Sequence, residues 1–159
     1  MGDDKAPPAR PMANVINAVR DGQVNIEMTP EDFIYIDRDC EYFKDSIRQI
    51  QRSMDIVSQQ EHWGLGESNG DMVSASTLVG RFKKKARGAE DGNSVYQIME
   101  DHFRIVEDIQ EVHRIVRDRI MQVDSSFAAE FNRLNTTLPN RPPVQLPAGP
   151  ALLPDGTGR

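Results

Sequence analysis

The chain has 159 residues, a net charge of −6 and 38% hydrophobic residues. That length fits one domain, and the modest apolar share is too small for one core to fill it end to end. The negative charge excludes nucleic-acid binding except through a local concentration of cations, and the single cysteine, Cys40, excludes an internal disulfide framework or a cysteine-cluster zinc site.

No uncharged apolar run approaches the roughly 18 to 20 residues of a membrane span. Met1 to Lys5 lacks the basic and apolar regions of a secretory signal, and Ala6 stands where myristoylation of Gly2 requires Ser or Thr. The expectation is an all-α protein made in the cytoplasm. Residues 1–28 mix Pro7, Pro8 and Pro11 with charge, and are expected to be flexible, with a short helix around Met12, Val15, Ile16 and Val19.

Thr29-Pro30-Glu31-Asp32 is a helix start: an N-cap hydroxyl, proline at the first helical position and acids in the first turn. Apolar residues follow at Phe33, Ile36, Cys40, Phe43, Ile47, Ile50, Met54 and Val57. The steps alternate between three and four, a heptad seam with Asp37, Asp39, Glu41, Lys44, Arg48, Gln51 and Arg52 largely off it. Within the seam Cys40 reads as a small core residue.

His62-Trp63-Gly64-Leu65-Gly66 is a turn in which two glycines permit a sharp reversal and Trp63 packs into the open end of the helix pair. An insertion comes next. Its short helix, near 71–86, is expected to point Val73, Ala75, Leu78, Val79 and Phe82 inward, and a polar loop runs from Gly88 to Asn93.

Ser94 with Gln97 opens the second long helix. Its stripe runs through Val95, Ile98, His102, Ile105, Ile109, Val112, Val116, Ile120, Val123 and Phe127 to Phe131 and Leu134, and Pro139 ends it. At 1.5 Å per residue this helix of about 44 residues is roughly 66 Å long, against about 46 Å for the first. The predicted architecture is an antiparallel hairpin of two long helices over 29–138. Its unequal arms leave apolar surface for the insertion, a second copy or another protein to cover. Pro139 to Arg159 holds six of the ten prolines and three glycines, the composition of a disordered tail.

Chemistry-bearing patterns are scarce. His102 and His113 are roughly 16 Å apart along one helix and cannot share an ion; His102 is expected as a hydrogen-bonded core residue and His62 as part of the turn. There is no phosphate-binding glycine loop, nucleophile elbow or helical His-Glu-x-x-His. Glu107, Asp108, Glu111 and Asp118 pattern with Arg104, Arg114, Arg117 and Arg119 as a solvated face. No catalytic, cofactor-binding or metal-ligating residue is assigned, and an enzyme is not expected. The one concentrated charge is Arg81-Phe82-Lys83-Lys84-Lys85-Ala86-Arg87, five cations in seven residues. Arg81, Lys83, Lys84, Lys85 and Arg87 are candidates for polyanion contact, although cations in a last helical turn also favour the helix dipole.

A helix, a tight turn at Trp63-Gly64 with Gly66, and a second amphipathic helix together resemble the WXG family, small ESX-like hairpins handled by type VII secretion systems. The resemblance covers residues 29–138. Leu65 stands where a strict Trp-x-Gly has its glycine, and the insertion of about 25 residues has no counterpart in compact members. The family implies dimerisation into a four-helix bundle and a Tyr-x-x-x-Asp/Glu export signal late in the second helix. Ile120, Asp124 and Ala128 occupy that position, with Ile120 in the tyrosine's place. Tyr35 to Asp39 and Tyr96 to Glu100 match the pattern by chance near helix starts, with their hydroxyls expected in water.

The resemblance implies a non-enzymatic helical-bundle interaction protein, a type VII secretion substrate or partner that leaves the cytoplasm without a signal peptide. Its partner would be a second copy or another hairpin, the secretion machinery or a large toxin-like protein. Ile98, Ile105, Ile109, Val112 and Val116 are expected to form the partner interface with Ile36, Phe43, Ile47, Ile50 and Met54. The alternatives are a nucleic-acid or anionic-membrane module using residues 81–87, and a structural coiled-coil component.

Overall fold

Thr29 starts the first long helix by reciprocal bonding. Its hydroxyl accepts the Asp32 N–H at 3.2 Å, and the Asp32 carboxylate accepts the Thr29 N–H at 3.1 Å. Two otherwise orphaned donors are thereby satisfied. The computed structural model describes residues 10–24 and 26–141, and is all-α: among those residues there are five helices and no strand. The helices are α1 (Ala13–Arg20), α2 (Pro30–Gln59), α3 (Val73–Ala86), α4 (Val95–Val123) and α5 (Ser125–Thr137). α2 and α4 pass in opposite chain directions. Asp37 and Glu41 meet Gln110 and Arg114, whereas Arg48 and Gln51 meet Glu100.

The single second helix expected from Ser94 onward is two helices. Asp124 leaves the helical region at φ −124°, ψ 101°, and its carboxylate accepts the N–H groups of Ser126 and Phe127. A short acid that bonds the backbone two and three residues on competes with helix continuation. The break lets α5 fold against α2, burying Phe131 and setting Phe127 edge-on to Phe33 at 5.9 Å. The roughly 66 Å rod is therefore absent.

The α1 helix is not separate from the core; residues 1–9 of the expected flexible segment lie outside the described residues. Ile16 and Val19, 2% and 0% exposed, join Phe33, Ile34, Val112, Val116 and Phe131 in one cluster. Arg10 and Met12 anchor α1 to α4 through Asp108. Arg10 Nε donates to that carboxylate at 2.7 Å and the Met12 N–H at 2.9 Å, while Arg10 and Arg20 both pair with Glu111. Asp108 is 1% exposed, so this stretch of α4 is not the solvated face its charges suggest.

α3 forms with Ala75, Val79 and Ala86 inward and packs chiefly on α2. Small residues there permit close backbone approach, which turns Val73, Leu78 and Phe82, expected inward, towards solvent. At the other end, Arg38 donates to the carbonyls of Leu138 and Pro139, and Tyr35 donates to Pro139, so its hydroxyl is not in water. Of the expected tail, residues 142–159 lie outside the described residues.

Candidate functional site

Two kinds of residue flank the α2–α4 contact. At the centre on α2 stand Phe33, Cys40, Ile47 and Gln51, all buried. By helical geometry Asp37, Glu41, Lys44 and Arg48 lie to one side of that line, and Ile36, Phe43, Ile50 and Met54 to the other. On α4 the polar side carries Glu100, Gln110 and Arg114, and the other side Ile98, Ile105 and Ile109.

The polar sides bond to each other as a ladder. Arg114 grips the Asp37 carboxylate with Nε at 2.6 Å and a terminal nitrogen at 3.1 Å. Gln110 donates to Glu41 at 2.8 Å and to Asp37 at 3.1 Å, and its oxygen accepts from Lys44 at 2.9 Å. One register step on, Arg48 pairs with Glu100 at 2.7 Å and lies over the Phe103 ring. Gln51 donates to Glu100 at 3.0 Å and to the Tyr96 carbonyl at 3.2 Å. Burial pushes the Asp37 carboxyl up, but the Arg114 guanidinium and the Gln110 amide outweigh it and hold it below the usual range. Gln110 and Lys44 lower Glu41, and Gln51 and Arg48 lower Glu100.

Since the polar sides face one another, the apolar sides share the opposite edge of the pair. Phe43 is 56% exposed, Ile50 40% and Ile105 37%. Ile36, Met54, Ile98 and Ile109 beside them are half-buried. In the register of the ladder, Phe43 is level with Ile105 and Ile50 with Ile98. Three residues expected at a partner interface are instead inside the chain's own core: Ile47, Val112 and Val116 are buried. α1 and α5 bring Ile16, Val19 and Phe131 into one cluster with Val112 and Val116.

The turn motif is held by a residue the motif does not contain. Gly64 and Gly66 adopt φ of +68° and +85°, a region that favours glycine. The Glu67 carboxylate accepts the N–H of Trp63 at 2.5 Å and of Leu65 at 2.9 Å. These bonds, led by that from Trp63, hold the carboxyl down at about 2. The Trp63 indole donates to the Gln60 carbonyl and stacks on Phe82 at 5.8 Å, so it lies on α3.

The remaining candidates, apart from Arg81 and Lys83, have local structural partners. Asp124 caps α5, Ile120 packs against the core, and the Ala128 N–H bonds to the Asp124 carbonyl. Arg87 pairs with Asp55 and lies over Tyr96, Lys84 is 3.6 Å from Glu90, and Lys85 donates to the Asn93 carbonyl. His102 is exposed, not in the core, and bonds to the Ile98 carbonyl. Burial pushes the Cys40 thiol up, away from the thiolate. Among the described residues no three His, Cys, Asp or Glu side chains are grouped to hold a metal, and no helix is long and apolar enough to cross a membrane. No protein-family model, curated protein or solved structure matches the chain.

Proposed function

We propose that this protein is a non-enzymatic helical interaction protein, a WXG-like substrate or partner of a type VII secretion system, which binds a second helical hairpin along the α2–α4 edge. The observation that carries the reading is the exposure of Phe43, Ile50 and Ile105 side by side on the one flank of the helix pair that has no polar ladder. Burying such side chains yields about 25 cal/mol per Å² of apolar surface before association costs are subtracted. The charged ladder on the opposite flank favours one face over the other and so sets the partner's orientation.

Light scattering on the full chain is expected to give a mass above the 17.9 kDa of one copy. Phe43→Asp and Ile105→Asp are expected to return it to that mass with helicity unchanged, because both side chains already reach solvent. Ile47→Asp, being buried, is expected to lose helicity instead. Wild type and Phe43→Asp of equal mass would reject the reading.

A further inference from the structure

The α3 helix presents a face that its packing on α2 leaves unexplained. Leu78, Arg81, Phe82 and Lys85 follow the spacing of one helical stripe, and all four are exposed. Phe82 and Leu78 are 46% and 43% exposed. Trp63 stacks on the Phe82 ring, extending the aromatic surface beyond the helix. The loop that carries Trp63 also exposes Leu65 and Met72.

α3 bears Arg81, Lys83, Lys84 and Lys85 and no carboxylate, in a chain whose net charge is −6. Among the described residues no carboxylate lies within 4.0 Å of Arg81, Lys83 or Lys85, and the Lys84–Glu90 pair is exposed on both sides. Favourable interaction with the helix dipole accounts for cations in the last turn. It does not account for large apolar side chains interleaved with them and left in water.

We propose that this stripe, with Trp63, docks the protein on an anionic lipid surface. Cations on a helix are drawn to negative headgroups, while Phe82, Leu78 and the indole enter the boundary between headgroups and acyl chains, where amphipathic aromatics are most stable. Nucleic acid fits less well: its phosphates reward cations, but a duplex offers no site for exposed leucine and phenylalanine along a helix. The surface lies on α3 and is independent of the α2–α4 edge, so neither proposal rests on the other.

The test uses the full chain, vesicles of phosphatidylcholine with and without phosphatidylglycerol, and Trp63, the only tryptophan, as reporter. Expected results are sedimentation with the phosphatidylglycerol vesicles, a blue shift of Trp63 emission, and weakening as salt rises. Arg81→Glu/Lys84→Glu, both exposed, is expected to weaken binding roughly tenfold or more. Leu78→Ser is expected to weaken it several-fold and to leave a binding mode more sensitive to salt. Phe43→Asp is expected to bind as wild type does. Absence of binding to anionic vesicles overturns the proposal, as does equal binding to neutral vesicles. Tighter binding to duplex DNA than to anionic vesicles, unaffected by Leu78→Ser, overturns it in favour of nucleic acid.

Discussion

Asp108 is nearly inaccessible on α4, yet it is satisfied from outside that helix, by the Arg10 guanidinium and the Met12 N–H. Removing one member of such a pair leaves the other uncompensated in a poorly solvated place. Arg10→Ala is expected to lower stability by about 1–2 kcal/mol, below the fully buried case because Arg10 itself is half-exposed. Urea unfolding would show the loss, and amide exchange would show α1 opening first. By contrast Arg133, paired with Glu130 three residues away on the surface of α5, is expected to be replaceable by Ala with little change. The turn glycines also differ from each other. A Cβ at Gly66 would meet the Met72 sulfur at 2.7 Å, whereas one at Gly64 would meet nothing within 4 Å. Both need positive φ, so each Ala variant carries conformational strain, and the Gly66 Cβ meets only the far end of the flexible, exposed Met72 side chain, which can turn aside. Similar falls in Tm are expected for Gly64→Ala and Gly66→Ala.

At the scale of elements, the α2–α4 ladder makes the pairing sensitive to acid. Asp37, Glu41 and Glu100 all have folded-state pKa values below their ordinary ones. Each therefore binds protons more readily when unfolded, and stabilises the fold fully only above its unfolded pKa. Their contribution is lost as pH falls from about 4.5 through the lower folded values. Thermal unfolding is expected to show nearly constant Tm across neutral pH and a decline below about 4.5. Asp37→Asn is expected to reduce that decline while lowering Tm at neutral pH. The α4–α5 break has its own test. Asp124→Ala removes the acceptor for the Ser126 and Phe127 amides, and their hydrogen exchange is expected to quicken several-fold while α2 stays protected.

For the whole molecule, the surface exposed to partners depends on which helices the chain keeps for itself. α1 and α5 close over Val112, Val116 and Phe131, and the α2–α4 edge around Phe43 and Ile105 stays open. Deleting residues 1–20 is expected to uncover the Val112–Val116 end. Light scattering would then show assemblies with more copies than the full chain forms.

Local chemistry made much of this organisation legible in the amino-acid sequence. The Thr29–Asp32 cap, the proline at position 30, the glycines at positions 64 and 66, and the three-four apolar spacing need only near neighbours in the chain, so helix class and the start of α2 follow from them. The break at Asp124 was not legible, because the apolar stripe continues across it at unbroken spacing while a single side chain decides the backbone. The burial of Asp108, Gln51 and Gln110 had no local signal either. Asp108, Gln110 and the Gln51 amide nitrogen are satisfied by residues between 45 and 98 positions away, which only the folded arrangement brings within bonding distance; the Gln51 oxygen alone has a near neighbour, Arg48. Periodicity marks an apolar side on a helix; which part of that side stays in water was decided by the tertiary packing of α1, α3 and α5 against it.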